Sequence, residues 1–211
     1  MIEFEVEARP VGLFTVGGGT VEVFGPDVPF IKERGKIFIP GSTFKGLLRS
    51  AASRVAETYG FSSCSKIRPE ELCGSCDVCK LFGSVRSQGK LIVGNLEAVG
   101  KHELLWFTRA RIDDKSNKAE EGGLFTQEHS YGGSFRGTIR VMEDGAGLLG
   151  LLLLALAELR TGRAGRKSLL DLKIGGTAGL RGRVEGRWLK LVEELEKFLW
   201  GGKYEVLRGP D

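Results

Sequence analysis

The chain has 211 residues, a formal net charge of +4 and a hydrophobic share of 41%. That length buries a core without disulfide support, which excludes a disulfide-stapled miniprotein and makes one domain the expectation. The mild positive charge permits a nucleic-acid partner without demanding one, and the longest apolar run, GLLGLLLLALA, is too short to span a membrane.

The opening MIEFEVEA alternates Ile2, Phe4, Val6 and Ala8 with Glu3, Glu5 and Glu7, which predicts a half-buried strand. It has no signal-peptide pattern, and the expected location is cytoplasmic. Gly17 to Gly19 predict a turn, and TVEVF a second strand. A loop then places Asp27 between Pro26 and Pro29, ahead of a short strand, KIFI. A carboxylate in such a loop is usually a turn former, and Glu22, Glu33, Asp113 and Asp114 are equally available acids.

Pro40–Gly41 ends the strand, and Ser42 reads as the N-cap of a helix. Phe44, Leu47, Leu48, Ala51, Ala52, Val55 and Ala56 recur there at helical spacing. Lys45 and Arg49 lie one turn apart near its start, where free backbone N–H groups and two cations suit a phosphate; a solvated helix face is the alternative.

Cys64, Cys73, Cys76 and Cys79 fall within sixteen residues. Four thiolates with two x₂ spacings suit a closed tetrahedral zinc site, which leaves no open position for catalysis and staples a loop over about residues 60–83. An iron–sulfur cluster and unliganded or redox thiols are the alternatives.

Residues 90–99 and 103–109 predict strands, and the polar, glycine-rich 111–133 a long exposed hairpin or loop. SFRGTIRVM reads as a strand, residues 146–160 as a buried helix and WLKLVEELEKFLW as an amphipathic helix. Between the helices, Arg160, Arg163, Arg166, Lys167, Arg181, Arg183 and Arg187 are interleaved with glycine, which suits a phosphate chain or simply a soluble loop. The element order predicts an α+β fold with an antiparallel sheet. His102 and His129 are the only histidines, a poor basis for a His-pair ribonuclease. S-T-F-K at 42–45 and GRAGRKS match catalytic patterns only in part. Scarce Asn and Gln with plentiful Lys, Arg and Glu fit a thermophile.

Together, PDVPFIKERGKIFIPGSTFKGLLRS, the following CGSCDVCKLFGS, the mid-chain RARIDDKSNKAEEGGLFTQEHSYGGSFRGTI and the late IGGTAGLRGRV resemble the RAMP superfamily of CRISPR systems over roughly residues 1 to 190. The nearest group is the backbone subunits of type III interference complexes. The resemblance implies one domain over 1–211: a modified ferredoxin-like, RRM-related core with an inserted zinc loop and a protruding thumb-like hairpin at about 108–135. It implies guide RNA bound by Lys45, Arg49, Gly176, Arg181 and Arg183, self-association into a filament, and other CRISPR effector subunits as partners. It also implies that Asp27, in Asp27–Val28–Pro29–Phe30–Ile31, cleaves complementary target RNA with a divalent metal, Mg or Mn. A non-cleaving RNA-binding paralogue of the same complex and a CRISPR-transcript processing endoribonuclease are the rival functions.

Overall fold

The computed structural model describes residues 1–18, 24–164 and 168–200. Glu22, Arg166, Lys167, the Gly201–Gly202 pair and all of the expected strand TVEVF except Phe24 lie outside them.

β1 (Ile2–Pro10) buries Ile2, Phe4, Val6 and Ala8 and turns Glu3 and Glu5 outward, as its alternation dictates. β2 (Lys32–Glu33) and β3 (Lys36–Ile39) form a tight hairpin. Its turn residues Arg34 and Gly35 both have positive φ, 50° and 78°, the hand that matches strand twist. α1 (Gly41–Val55) buries Phe44, Leu48, Ala51 and Ala52 along one stripe. The helix begins one residue before Ser42, so Ser42 is not its N-cap, contrary to expectation. The Gly41 N–H instead donates to Asn95 Oδ1 at 3.0 Å. The start is packed so closely that a Cβ on Gly41 would overlap the carbonyl oxygens of Val93 and Gly94.

α2 (Asp77–Phe82) lies within the cysteine segment. The strand expected over 90–99 is two, β4 (Leu91–Val93) and β5 (Leu96–Val99), bent at Gly94–Asn95. β6 (Glu103–Ile112) and β7 (Ala119–Tyr131) pair as a two-stranded hairpin that stands apart from the main sheet. It starts earlier than the expected hairpin of 108–135 and is strand for most of its length. β8 (Ser134–Val141) buries Phe135, Ile139 and Val141. α3 (Leu149–Thr161) is apolar around most of its circumference and lies within the core.

β9 (Leu170–Gly175) falls inside the glycine- and arginine-rich stretch that was expected to be loop. Its pattern is obscured because Asp171, between the buried Leu170 and Leu172, is itself buried. α4 (Ala178–Arg181) and the amphipathic α5 (Gly186–Leu195) complete the described chain.

The main sheet runs β2-β3-β5-β8-β1-β9, with β4 also on β8, and every pairing is antiparallel. Two consequences follow from the registers. β1 and β5 run parallel with β8 between them, and β8 and β9 run parallel with β1 between them. α1 lies on the first connection and α3 on the second, so two split βαβ units interleave. α1, α3 and α5 pack on the buried face in one continuous core. The other face carries a ladder of ion pairs, Glu7 with Arg136 at 3.0 Å, Glu7 with Lys173 at 3.2 Å and Glu3 with Arg140 at 2.5 Å. No helix of the described residues is long and apolar enough to cross a membrane.

Candidate functional site

The Asp27 loop is built onto the hairpin. Val28 N–H donates to the Thr126 carbonyl at 3.0 Å, and Glu128 N–H donates to the Val28 carbonyl at 2.9 Å, a parallel bridge along the free edge of β7. Pro26 and Pro29 are buried on either side, which fixes the backbone while the Asp27 side chain stays exposed. Oδ2 of Asp27 accepts from Thr126 N–H at 2.6 Å and from the Thr126 hydroxyl at 2.9 Å. In return, Asp27 N–H donates to Thr126 Oγ1 at 3.0 Å. Among the described residues, both carboxylate contacts fall on Oδ2 and neither on Oδ1. The Thr126 backbone N–H, then its hydroxyl, holds Asp27 below the ordinary aspartate value, so the group is a carboxylate at neutral pH.

Glu128, two residues further along β7, fastens the rest of the loop. It is 3% exposed, accepts from Phe30 N–H at 2.9 Å and from Trp106 Nε1 at 3.3 Å, and pairs with Lys32 at 2.9 Å. Its burial raises the carboxyl's proton affinity, but Lys32 and the Phe30 N–H together outweigh that and lower it below the ordinary glutamate value. Phe14 bridges Ser130 by two backbone hydrogen bonds, and Phe30 stacks on Phe135 with ring centroids 6.1 Å apart. The loop is therefore tied to the hairpin by backbone and to the core by rings.

Both histidines have internal roles. His102 contacts Ser130 Oγ at 2.8 Å and the Ser134 carbonyl at 3.1 Å. His129 is buried against Arg109 Nη2 at 3.0 Å and Phe107. Burial, then the Arg109 charge, lowers His129 below the ordinary histidine value and keeps it neutral.

The four cysteine sulfurs all lie within 4.8 Å of one another. A tetrahedral four-sulfur site with bonds of about 2.3 Å has sulfur–sulfur edges of about 3.8 Å, so the cluster suits a thiophilic metal with little rearrangement. Cys64 and Cys79 sulfurs are already 3.7 Å apart. Cys76 N–H points at Cys73 Sγ at 3.3 Å and Cys79 N–H at Cys76 Sγ at 3.4 Å, the contacts that stabilise a thiolate knuckle. The Cys76 N–H, then the Ser75 hydroxyl, lowers Cys73 to about 6, whereas burial pushes Cys76 up to about 12.

Arg49 faces this cluster: Nη2 lies 3.2 Å from Cys79 Sγ and Nη1 donates to the Gly83 carbonyl at 2.5 Å. Lys45 is half-buried and donates to the Leu91 carbonyl at 2.7 Å. Burial, then the Arg49 charge, lowers its proton affinity. Among the described residues, neither side chain shares a hydrogen-bond partner with Asp27.

The late glycine and arginines form a second group. Gly176 has φ 64°, a left-handed conformation that favours glycine. Arg181 grips Glu196 with Nη2 at 2.6 Å and Nε at 3.1 Å. Arg183 pairs with Glu143. Arg160, another member of the basic run, is buried and pairs with Asp171 at 3.2 Å, while its Nη1 donates to the Glu194 carbonyl at 2.9 Å. It is a core residue that closes the end of α5 and is unavailable to a phosphate.

Thr126, Glu128 and Asn95 are the site residues that sequence reasoning missed. Nothing in their local pattern sets them apart, because their roles arise only from pairing between distant segments.

The family model of the RAMP superfamily matches residues 13–185. Sixty-five residues, 30% of the chain, are 37% identical to the CRISPR system Cms endoribonuclease Csm3 of Methanocaldococcus jannaschii. The match spans about a quarter of that protein's length, 26%.

Proposed function

The chain belongs to the RAMP superfamily, and from that membership we propose that it is a subunit of a type III CRISPR effector complex that binds guide RNA and cleaves complementary target RNA. The observation that carries the cleavage reading is the Asp27 carboxylate, exposed, ionised and fixed against the middle of the β6–β7 hairpin. The two interleaved split βαβ units support a ferredoxin-like core. The likeness to an endoribonuclease of the Cms system supports the substrate class.

Cleavage of RNA at a 2′-hydroxyl needs no nucleophile from the protein. The 2′-oxygen attacks phosphorus, the 5′-oxygen leaves, and the protein orients the phosphate and handles the 2′-proton. Asp27 offers a hard oxygen donor on a rigid loop, which fits Mg²⁺ or Mn²⁺, ions that need only one or two protein oxygens. Such an ion, when bound, neutralises charge on the phosphate. Asp27 would hold it or accept the 2′-proton, and the buried prolines keep the carboxylate from swinging away. Lys45, Arg49, Gly176, Arg181 and Arg183 are proposed to contact the guide, which filament formation and the partner subunits would extend from one copy to the next. The four cysteines are proposed to hold one structural zinc.

The test is Asp27→Ala in the reconstituted complex with guide and matched target. Cleavage should fall by orders of magnitude while target binding stays near wild type. Normal cleavage by the variant would leave the non-cutting paralogue as the better reading.

A further inference from the structure

We propose that Thr126 is the positioning residue for Asp27: it grips one carboxylate oxygen from the hairpin and presents the other to the scissile region. This rests on the cleavage role just proposed for Asp27 and concerns how that carboxylate is aimed.

Three hydrogen bonds join these two residues, although 99 positions separate them in the chain. Thr126 N–H and Oγ1–H both converge on Oδ2, and Thr126 Oγ1 accepts from Asp27 N–H. One hydroxyl therefore acts as donor to the side chain and acceptor from the backbone of the same residue. A turn-forming aspartate normally bonds its own loop, within about two residues. Asp27 bonds the hairpin instead, on a surface where water is the competing partner. The contact uses both the N–H and the hydroxyl of the half-buried Thr126 and defines the χ angles of Asp27.

The surroundings make the aim rigid. The Val28 bridge runs through the Thr126 carbonyl itself, so the threonine holds the loop by backbone on one side and the carboxylate by N–H and hydroxyl on the other. Thr108 sits directly opposite Thr126 across the β6–β7 pair, which places Thr126 in the paired, regular part of the hairpin. Glu128 anchors the next turn of the loop through Phe30 N–H. Among the described residues Oδ2 is taken twice, and Oδ1 is the oxygen left to face a divalent ion. Any shift of this part of the hairpin moves the carboxylate with it.

The experiment compares Thr126→Val, which keeps the shape and the backbone N–H but removes the hydroxyl, with Thr126→Ser, which restores the hydroxyl. Both are assayed in the reconstituted complex under single turnover, beside Asp27→Ala, with target affinity and Mg²⁺ dependence measured for each. The expected result is that Thr126→Val lowers the cleavage rate about tenfold, the worth of roughly one hydrogen bond to a charged group, at unchanged target affinity. The Mg²⁺ concentration for half-maximal rate should rise at least about threefold on the same argument, and Thr126→Ser should recover most of the rate. Wild-type cleavage by Thr126→Val, with Asp27→Ala inactive, overturns the positioning role and leaves the cleavage assignment standing. A slower rate with unchanged Mg²⁺ dependence, or weakened target binding in both threonine variants, makes Thr126 a fold residue of the hairpin and also overturns it. Normal cleavage by Asp27→Ala instead removes the assignment on which the inference rests.

Discussion

At the scale of single residues, the hairpin base is controlled by groups whose charge depends on each other. Glu128 is the clearest case, a carboxylate 3% exposed that serves Lys32, Phe30 N–H and Trp106 together. Its folded value lies below the ordinary 4.5, so the folded state favours the ionised form. The stabilisation is therefore complete above pH 4.5 and disappears as pH falls below it. Glu128→Gln should lower stability near neutral pH by roughly 2 kcal/mol, since it removes the charge from a mostly buried pair and leaves Lys32 partly solvated. It should also flatten the acid limb of a melting-temperature profile between pH 6 and pH 3. An acid limb as steep as wild type would show that other carboxylates, such as Asp77 or Glu7, set the acid sensitivity. Residue-level chemistry of this kind was not legible in the sequence. Asp27 attracted attention only through a family pattern, and its partner Thr126 is one threonine among several until the strands are paired.

At the scale of elements, the cysteine segment and α1 behave as one unit. Arg49 leaves the helix to bond Gly83 and Cys79, and Lys45 ties the same helix to β4. A guanidinium beside sulfur also offsets the negative charge that four thiolates place on a metal. Purified protein should contain about one zinc per chain, measured by elemental analysis. Cys76→Ser should release it, lower the melting temperature and raise amide exchange in residues 60–83 and the first turns of α1. Zinc well below half an equivalent with a brown protein would point to an iron–sulfur cluster. The cysteine spacing was legible in the sequence because chelation is local, and so was the stripe of α1. The edge strand β9 was not, because a buried Asp171 interrupts its apolar run and is explained only by Arg160 from α3. The N-cap assigned to Ser42 failed for a similar reason: Asn95, from another element, satisfies the Gly41 N–H.

At the scale of the whole molecule, the exposed cations divide by what they do in the free chain. Arg181 and Arg183 sit in solvent-facing ion pairs, which contribute little to folding and exchange partners readily. Replacing both with Ala should leave the melting temperature unchanged yet weaken single-stranded RNA binding and reduce the slope of log K against log salt by about one to two. Replacing Lys45 and Arg49 should weaken binding and lower the melting temperature together, because both side chains also hold α1 in place. RNA affinity that is unmoved by the first pair would place the guide path elsewhere on the surface. The sheet order carries a kinetic consequence. β1 lies between β8 and β9, so each of its neighbours is more than a hundred and twenty residues downstream, from Ile2 against Val141 to Pro10 against Leu170. Such long loops must close before the central strand is held, which puts the chain among slow, non-local folders, on the order of milliseconds to seconds. On the ribosome, β1 lacks its full pairing with β8 until residue 141 has emerged and its second partner until residue 175 has, so its apolar face relies on a chaperone's shelter for much of synthesis.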